Sequence, residues 1–159
     1  MLTEAVNSCP PSNRRRHPMR GRGLRSIAVP SLQLDAPRRY DVATKQLLAQ
    51  CMGQVYARIM QVQPHIITVA IHDLGEGGVW RCTGDQPQEA ALLMCDVRAG
   101  RSSETRAELA EALIAVCGDV GGLDQDSVKV EFTQHPGEDM YHRHLGGFNR
   151  DWTGDETTP

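Results

Sequence analysis

Pro30-Ser31-Leu32-Gln33-Leu34-Asp35 and Ala91-Leu92-Leu93-Met94-Cys95-Asp96-Val97 are the two stretches that decide the fold. Both are strand-like. The first opens with proline and runs to Ala36-Pro37, where Arg38-Arg39-Tyr40-Asp41 makes a turn. Asp41 is placed as a helix N-cap, since its side-chain oxygen can take an orphan N–H of the first turn. The spacing predicts a helix from Val42 to Met60. Leu47, Cys51, Val55 and Ile59 recur every fourth residue as one apolar stripe. Pro64 interrupts the chain, and the β-branched run from Ile66 to Leu74 reads as a strand buried on both faces.

The second half repeats that order. Between the halves lie the Gly75-Glu76-Gly77-Gly78 turn, a short Val79–Cys82 segment and a linker from Thr83 to Glu89. The second strand ends at the turn Arg98-Ala99-Gly100-Arg101. Ser102 or Ser103 then caps a helix, with Glu104 in its first turn and Leu109, Leu113 and Val116 on its core face. Gly118 to Asp126 is a loop, Ser127 to Gln134 a last strand, and His135 to Pro159 a polar, Gly-rich tail. Each half is a β-α-β unit, with Arg39 aligned on Arg101 and Asp41 on Ser103. Such crossovers pair their strands in parallel. The fold class expected is therefore α/β (α+β): two tandem β-α-β units forming a four-stranded, mostly parallel sheet with both helices on one face. The other face, read as rich in Val and Ile, has no helix left to cover it. That predicts self-association, most simply a homotrimer.

Composition narrows the functional classes. The 159 residues are the size of one domain, and 40% hydrophobic content supports a core. No run reaches the length of a membrane span, and no secretory signal is visible. The five cysteines are odd in number and form no CxxC pair, which suits buried thiols in a reducing cytoplasm. The net charge of −3 conceals a contrast: residues 1–29 hold six Arg and one Glu (+5), while residues 30–159 hold 11 Lys+Arg and 19 Asp+Glu (−8). The body of the chain is thus a poor nucleic-acid binder. Residues 1–29 read as a basic, disordered leader, and residues 30–159 as one domain of repeats 30–85 and 91–150. The leader is a basic arm, or a removed targeting segment, or an artefact of the assigned start. In the third account Val29 is encoded by GUG and initiates as Met, whose removal exposes Pro30. The third is favoured.

The residues that offer chemistry follow from this layout. Pro30 with a free N-terminus is a secondary amine. A neighbouring cation and an apolar wall lower the pKa of such a group and make it a base near neutral pH. The bland alternative is a proline opening an edge strand. Arg98 and Arg101, three apart across a glycine turn, suit convergence on one carboxylate. Arg39 is a weaker candidate of the same kind, and Trp80 and Arg81 offer an apolar wall and one more cation. His135, Glu138, Asp139, His142 and His144 crowd the tail, but nothing in their spacing fixes a metal geometry, and no metal is assigned. Gly75–Gly78 is not a phosphate loop, because no Lys-Ser/Thr follows it.

A strand beginning with proline, an arginine at its far end, a helix and a second copy of the unit together resemble the tautomerase superfamily. The chain looks like the longer, two-unit members and is similar to the cis-3-chloroacrylic acid dehalogenase, malonate semialdehyde decarboxylase and 4-oxalocrotonate tautomerase-like groups. The resemblance covers nearly all of residues 30–150. It implies a trimer and a catalytic N-terminal proline, here Pro30. It also implies carboxylate-binding arginines at Arg98 and Arg101, as in the dehalogenases' Arg-x-Gly-Arg turn, a related role for Arg39, and an aromatic pocket residue near Trp80. The match has departures. Tyr56 stands where the dehalogenases have a helix histidine, Glu131 or a neighbour where they have a tyrosine. No counterpart of their water-activating glutamate is identifiable among Glu138-Asp139-Met140-Tyr141-His142. The expectation is a cofactor-free keto-enol tautomerase acting on a small carboxylate, a 2-oxo acid or its enol. The alternatives are a hydratase, dehalogenase or decarboxylase on the same scaffold, and a non-catalytic trimer that binds through its basic arm.

Overall fold

The computed structural model describes residues 30–143 and 147–148. The leader (1–29), His144 and the end of the tail (149–159) lie outside them. In chain order the main elements are β1 (Ser31–Ala36), α1 (Val42–Ile59), β2 (Thr68–Asp73), β3 (Trp80–Arg81), β4 (Gln88–Glu89), β5 (Ala91–Arg98), α2 (Ser103–Asp119), β6 (Val128–His135), β7 (Tyr141–His142) and β8 (Gly147–Phe148). The four long strands form one sheet in the order β2-β1-β5-β6. β1 runs parallel to β2, and β5 parallel to β6, so each β-α-β unit contributes a parallel pair. The units meet through an antiparallel β1–β5 ladder in which Ser31 faces Asp96 and Leu34 faces Leu93. The expected mostly parallel four-stranded sheet with two helices is the one observed.

The helices are stopped and started as their sequences dictate. Asp41 Oδ1 accepts the Thr44 N–H at 2.7 Å. Of the two serines before α2 it is Ser102 that caps, its Oγ accepting the Thr105 N–H at 3.1 Å. α1 and α2 pack on each other and on one face of the sheet, around Leu32, Leu34, Leu48, Met52, Leu93, Leu109 and Leu113. Three of the thiols, Cys51, Cys95 and Cys117, are buried. Burial pushes Cys95 and Cys117 up to about 12, so they behave as small hydrophobes rather than thiolates.

Four expectations need correction. The strand from Ile66 is not buried on both faces: β2 lies at the edge of the sheet and none of its residues is fully buried. The buried stripe of α1 is Leu48, Cys51, Met52, Tyr56 and Ala57, rotated from the one through Leu47, Val55 and Ile59, which are only partly buried. A spacing of four drifts around a helix of 3.6 residues per turn, so a long row at i+4 cannot stay on one face. The linker from Thr83 to Glu89 contains a strand, β4, which pairs antiparallel with β3 to make a hairpin. The open face of the sheet is not rich in Val and Ile. Val69, Ile71, Val130 and Phe132 pack against the core side. Strand alternation leaves the open face to Ser31, Gln33, Asp35, Ala70, His72, Leu92, Met94, Asp96, Glu131 and Thr133. That face carries polar networks, among them His72 Nδ1 on Asp35 Oδ1 at 2.8 Å. It is therefore not an apolar surface that demands a partner.

Candidate active site

Parallel and antiparallel pairings bring particular strand ends together. The start of β1, the start of β2, the end of β5 and the end of β6 all meet at one end of the sheet. The end of α1 and the start of α2 reach the same place, because each helix runs back along its unit.

Pro30 sits there, immediately before β1, and is fully buried. β1 is an inner strand between β2 and β5, so the edge-strand reading of Pro30 does not hold. A proline at the very start of a strand sacrifices no ladder donor within it. The Pro30 carbonyl still accepts the Thr68 N–H at 3.1 Å, which ties the residue to β2. Continuing the β1–β5 register by one residue sets Pro30 across from Val97. Arg98 follows, 3% exposed, the one buried charged side chain among the described residues. Gly100 then takes φ 97°, a left-handed conformation that glycine adopts without strain, and turns the chain into Arg101 and the α2 cap. Arg101 is half-buried. The Ala99 N–H donates to the His135 carbonyl at 2.9 Å, which holds the turn against β6.

Tyr56 enters the same region from α1. Its hydroxyl donates to the Asp96 carbonyl at 3.5 Å. Burial pushes the Tyr56 phenol well above its ordinary value, and the Arg101 charge only partly offsets this, so it is a neutral donor at physiological pH.

Asp96 is the centre of a cluster that the sequence reading overlooked. Its Oδ2 accepts the Ser31 hydroxyl at 2.5 Å, its Oδ1 accepts the Thr133 hydroxyl, and His135 Nε2 lies 3.6 Å from Oδ1. Burial pushes the Asp96 carboxyl up. The two hydroxyls and the His135 ring outweigh that and hold it below the usual carboxylate range. One signal was available. Asp96 is the only charged residue within the alternating run Leu92-Leu93-Met94-Cys95-Asp96-Val97. What the sequence did not reveal is the register that puts Ser31 and Thr133 on either side of it.

The other sequence candidates fall elsewhere. Arg39 follows the far end of β1 and packs against Gly75, where an added Cβ would stand 2.9 Å from the Arg39 Nε. Gly75 has φ 83°, so glycine is favoured there twice over. Trp80 and Arg81 lie in β3 at that same far end. Trp80 is 55% exposed and donates its indole N–H to the Gly77 carbonyl at 2.8 Å, while Arg81 donates to the Asp126 carbonyl at 3.0 Å. The six steps of β1 at about 3.3 Å each separate the two ends by roughly 20 Å. Within one chain, then, Pro30, Arg98 and Arg101 come together, and Arg39, Trp80 and Arg81 do not join them. Of the tail residues, His135 belongs to β6 and the Asp96 cluster. Among the described residues no three His, Cys, Asp or Glu side chains gather as a metal site would require.

No family model matches the chain, and no curated protein sequence does. Solved structures do. Pt0534 inactivated by 2-oxo-3-pentynoate superposes with a TM-score of 0.63 at 19% identity, covering 75% of this chain and 94% of that one. N1, a member of the cis-3-chloroacrylic acid dehalogenase family, gives 0.61 at 22% identity over 70% and 79%. A symmetric trimer of fused 4-OT gives 0.64 at 21% identity over 75% and 94%. The chain has the tautomerase-superfamily fold. The match extends across both β-α-β units. At these identities it shows the fold and leaves the chemistry to be argued from the residues. No helix among the described residues is long and apolar enough to cross a membrane.

Proposed function

We propose that the chain is a cofactor-free tautomerase-like enzyme of a reducing cytoplasm, in which Pro30, as the first residue of the mature protein, is the general base. The working unit is residues 30–159, made of repeats 30–85 and 91–150, without the basic leader. The observation that carries this reading is the position of Pro30: buried at the start of an inner strand, across from Val97 and beside the buried Arg98. Pro30 is buried in the full chain, at the end of the sheet where the Arg98–Arg101 turn also lies; an apolar wall and neighbouring cations act together on an amine. Both effects favour its neutral form and let it act as a base near pH 7.

The substrate is a small 2-oxo acid or its enol. Arg98 and Arg101 hold its carboxylate, Arg98 the more strongly because its charge is poorly screened by solvent. Pro30 takes the proton α to the carbonyl, and the C–H electron pair moves into an enolate whose charge the arginines stabilise. The ammonium then returns the proton to oxygen or carbon. Arg39, Trp80 and Arg81 take part from a neighbouring protomer of a homotrimer. Their separation from Pro30 within one chain supports that arrangement, as does the trimeric state of fused 4-OT structures with the same fold.

Hydration, dehalogenation or decarboxylation on the same scaffold needs a carboxylate beside Pro30 that can activate water. Asp96 is the nearest candidate, but both its oxygens already accept hydrogen bonds from hydroxyls, which favours simple proton transfer.

The reagent that inactivates Pt0534 provides a test. 2-Oxo-3-pentynoate is an electrophilic alkynyl 2-oxo acid. A neutral Pro30 amine adds to its triple bond, the nitrogen lone pair forming the new bond and the proton passing to the neighbouring carbon. The expected result is a gain of one reagent mass, mapped to Pro30 by peptide sequencing, and parallel loss of activity. Protein whose Pro30 is amide-bonded should take up none. Labelling at a cysteine with Pro30 untouched would contradict the reading.

A further inference from the structure

Asp96 lies two residues before Arg98 and directly across the β1–β5 ladder from Ser31, the residue next to Pro30. Side chains from β1 and β6 converge on its carboxylate, and Tyr56 of α1 reaches its carbonyl. Its negative charge is therefore fixed in place rather than left to a mobile surface acid. The proton-transfer scheme above has only cations near the amine. Arg98 and Arg101 favour the neutral base, but for the same reason they oppose the ammonium that forms once the substrate proton has moved. A base flanked by cations alone would accept the proton poorly.

We propose that Asp96 is the counter-charge and positioning residue of Pro30. Through the Ser31 hydroxyl it fixes the start of β1. Its charge raises the proton affinity of the Pro30 amine against Arg98 and Arg101, so that the amine can hold the proton it takes. Asp96 itself exchanges no proton with substrate. Charged or titratable groups at or next to this end of the sheet are Cys95, Arg98 and Arg101 from β5 and its turn, Tyr56 from α1, His135 from β6, Glu138, Asp139 and His142 just after it, and His65 just before β2. β2 itself begins at this end with the uncharged Thr68. The inference rests on Pro30 being the base.

The test uses protein made from its own gene in its own host, wild type and Asp96→Asn, and follows the rate of labelling by 2-oxo-3-pentynoate across a pH series. Removing the charge is expected to lower the midpoint of the profile by about one unit or more. Asp96→Asn should then label faster than wild type on the acid side of the profile, a gain that a merely structural role would not produce. An unchanged midpoint, or slowing by the same factor at every pH, would overturn the proposal. Ser31→Ala keeps the charge and removes the bridge: the midpoint should stay and the plateau rate fall. That variant decides the matter should Asp96→Asn not fold, since a Ser31→Ala profile identical to wild type would also overturn the proposal. A wild type that takes no label at any pH would sink the catalytic reading itself, and this inference with it. A labelled wild type with an unshifted Asp96→Asn would sink this inference alone.

Discussion

Replacing Pro30 by alanine is expected to cut turnover of an enolised 2-oxo acid by about 10²-fold or more, the lower end of what a positioned general base contributes. The change leaves an N-terminal amine but removes the ring. The ring fixes the nitrogen's direction and shields it from water; a primary amine at the same place rotates and is better hydrated. The fold should survive, because proline donates no hydrogen bond to the sheet and the bond from the Thr68 N–H uses the main-chain carbonyl of residue 30. Steady-state kinetics together with a size measurement separate the two effects. Lost turnover with an unchanged assembly supports the account; unchanged turnover removes Pro30 from the chemistry.

Arg98→Ala should lower kcat/KM for a carboxylate substrate by roughly 10²-fold, the cost of losing one donor to a developing anion in a site shielded from water. Much of the loss should appear as a raised KM, because the same side chain holds the carboxylate in the ground state. Arg98→Lys is not expected to restore activity, since an ammonium cannot reproduce the paired donors of a guanidinium. A substrate whose carboxylate is esterified provides the control: Arg98→Ala should slow it less than it slows the acid, because only the enolate stabilisation is lost. Equal loss on acid and ester would contradict carboxylate binding by Arg98.

The architecture was largely legible in the sequence because its cues were local. Asp41 and the serines before α2 mark helix starts by a hydrogen bond made within three residues. The doubled strand-turn-helix order fixed the units, and units of that kind pair their strands in parallel. The readings that failed depended on partners distant in sequence. β4 is a two-residue strand that exists only through its pairing with β3. The open face was read as rich in Val and Ile because alternation alone does not say which face is buried; the register against β1 and β5 places Val69, Ile71 and Val130 on the core side. The Asp96 cluster is the same case. Ser31, Asp96 and Thr133 lie on three strands, 65 and 37 positions apart in the two pairs, and only the sheet brings them side by side. Pro30 and the Arg98–Arg101 turn were legible as candidates because each carries its own signature, a strand-opening proline and a glycine between arginines. Arg39, Trp80 and Arg81 carry similar local signatures, yet they stand at the other end of β1.

The account depends on a free amine at Pro30, and the intact mass of the protein made from its own gene in its own host tests that most directly. The predicted mass is that of Pro30–Pro159. A mass matching Met1–Pro159 would contradict the account, because Pro30 would then be held in an amide with no lone pair to offer as a base.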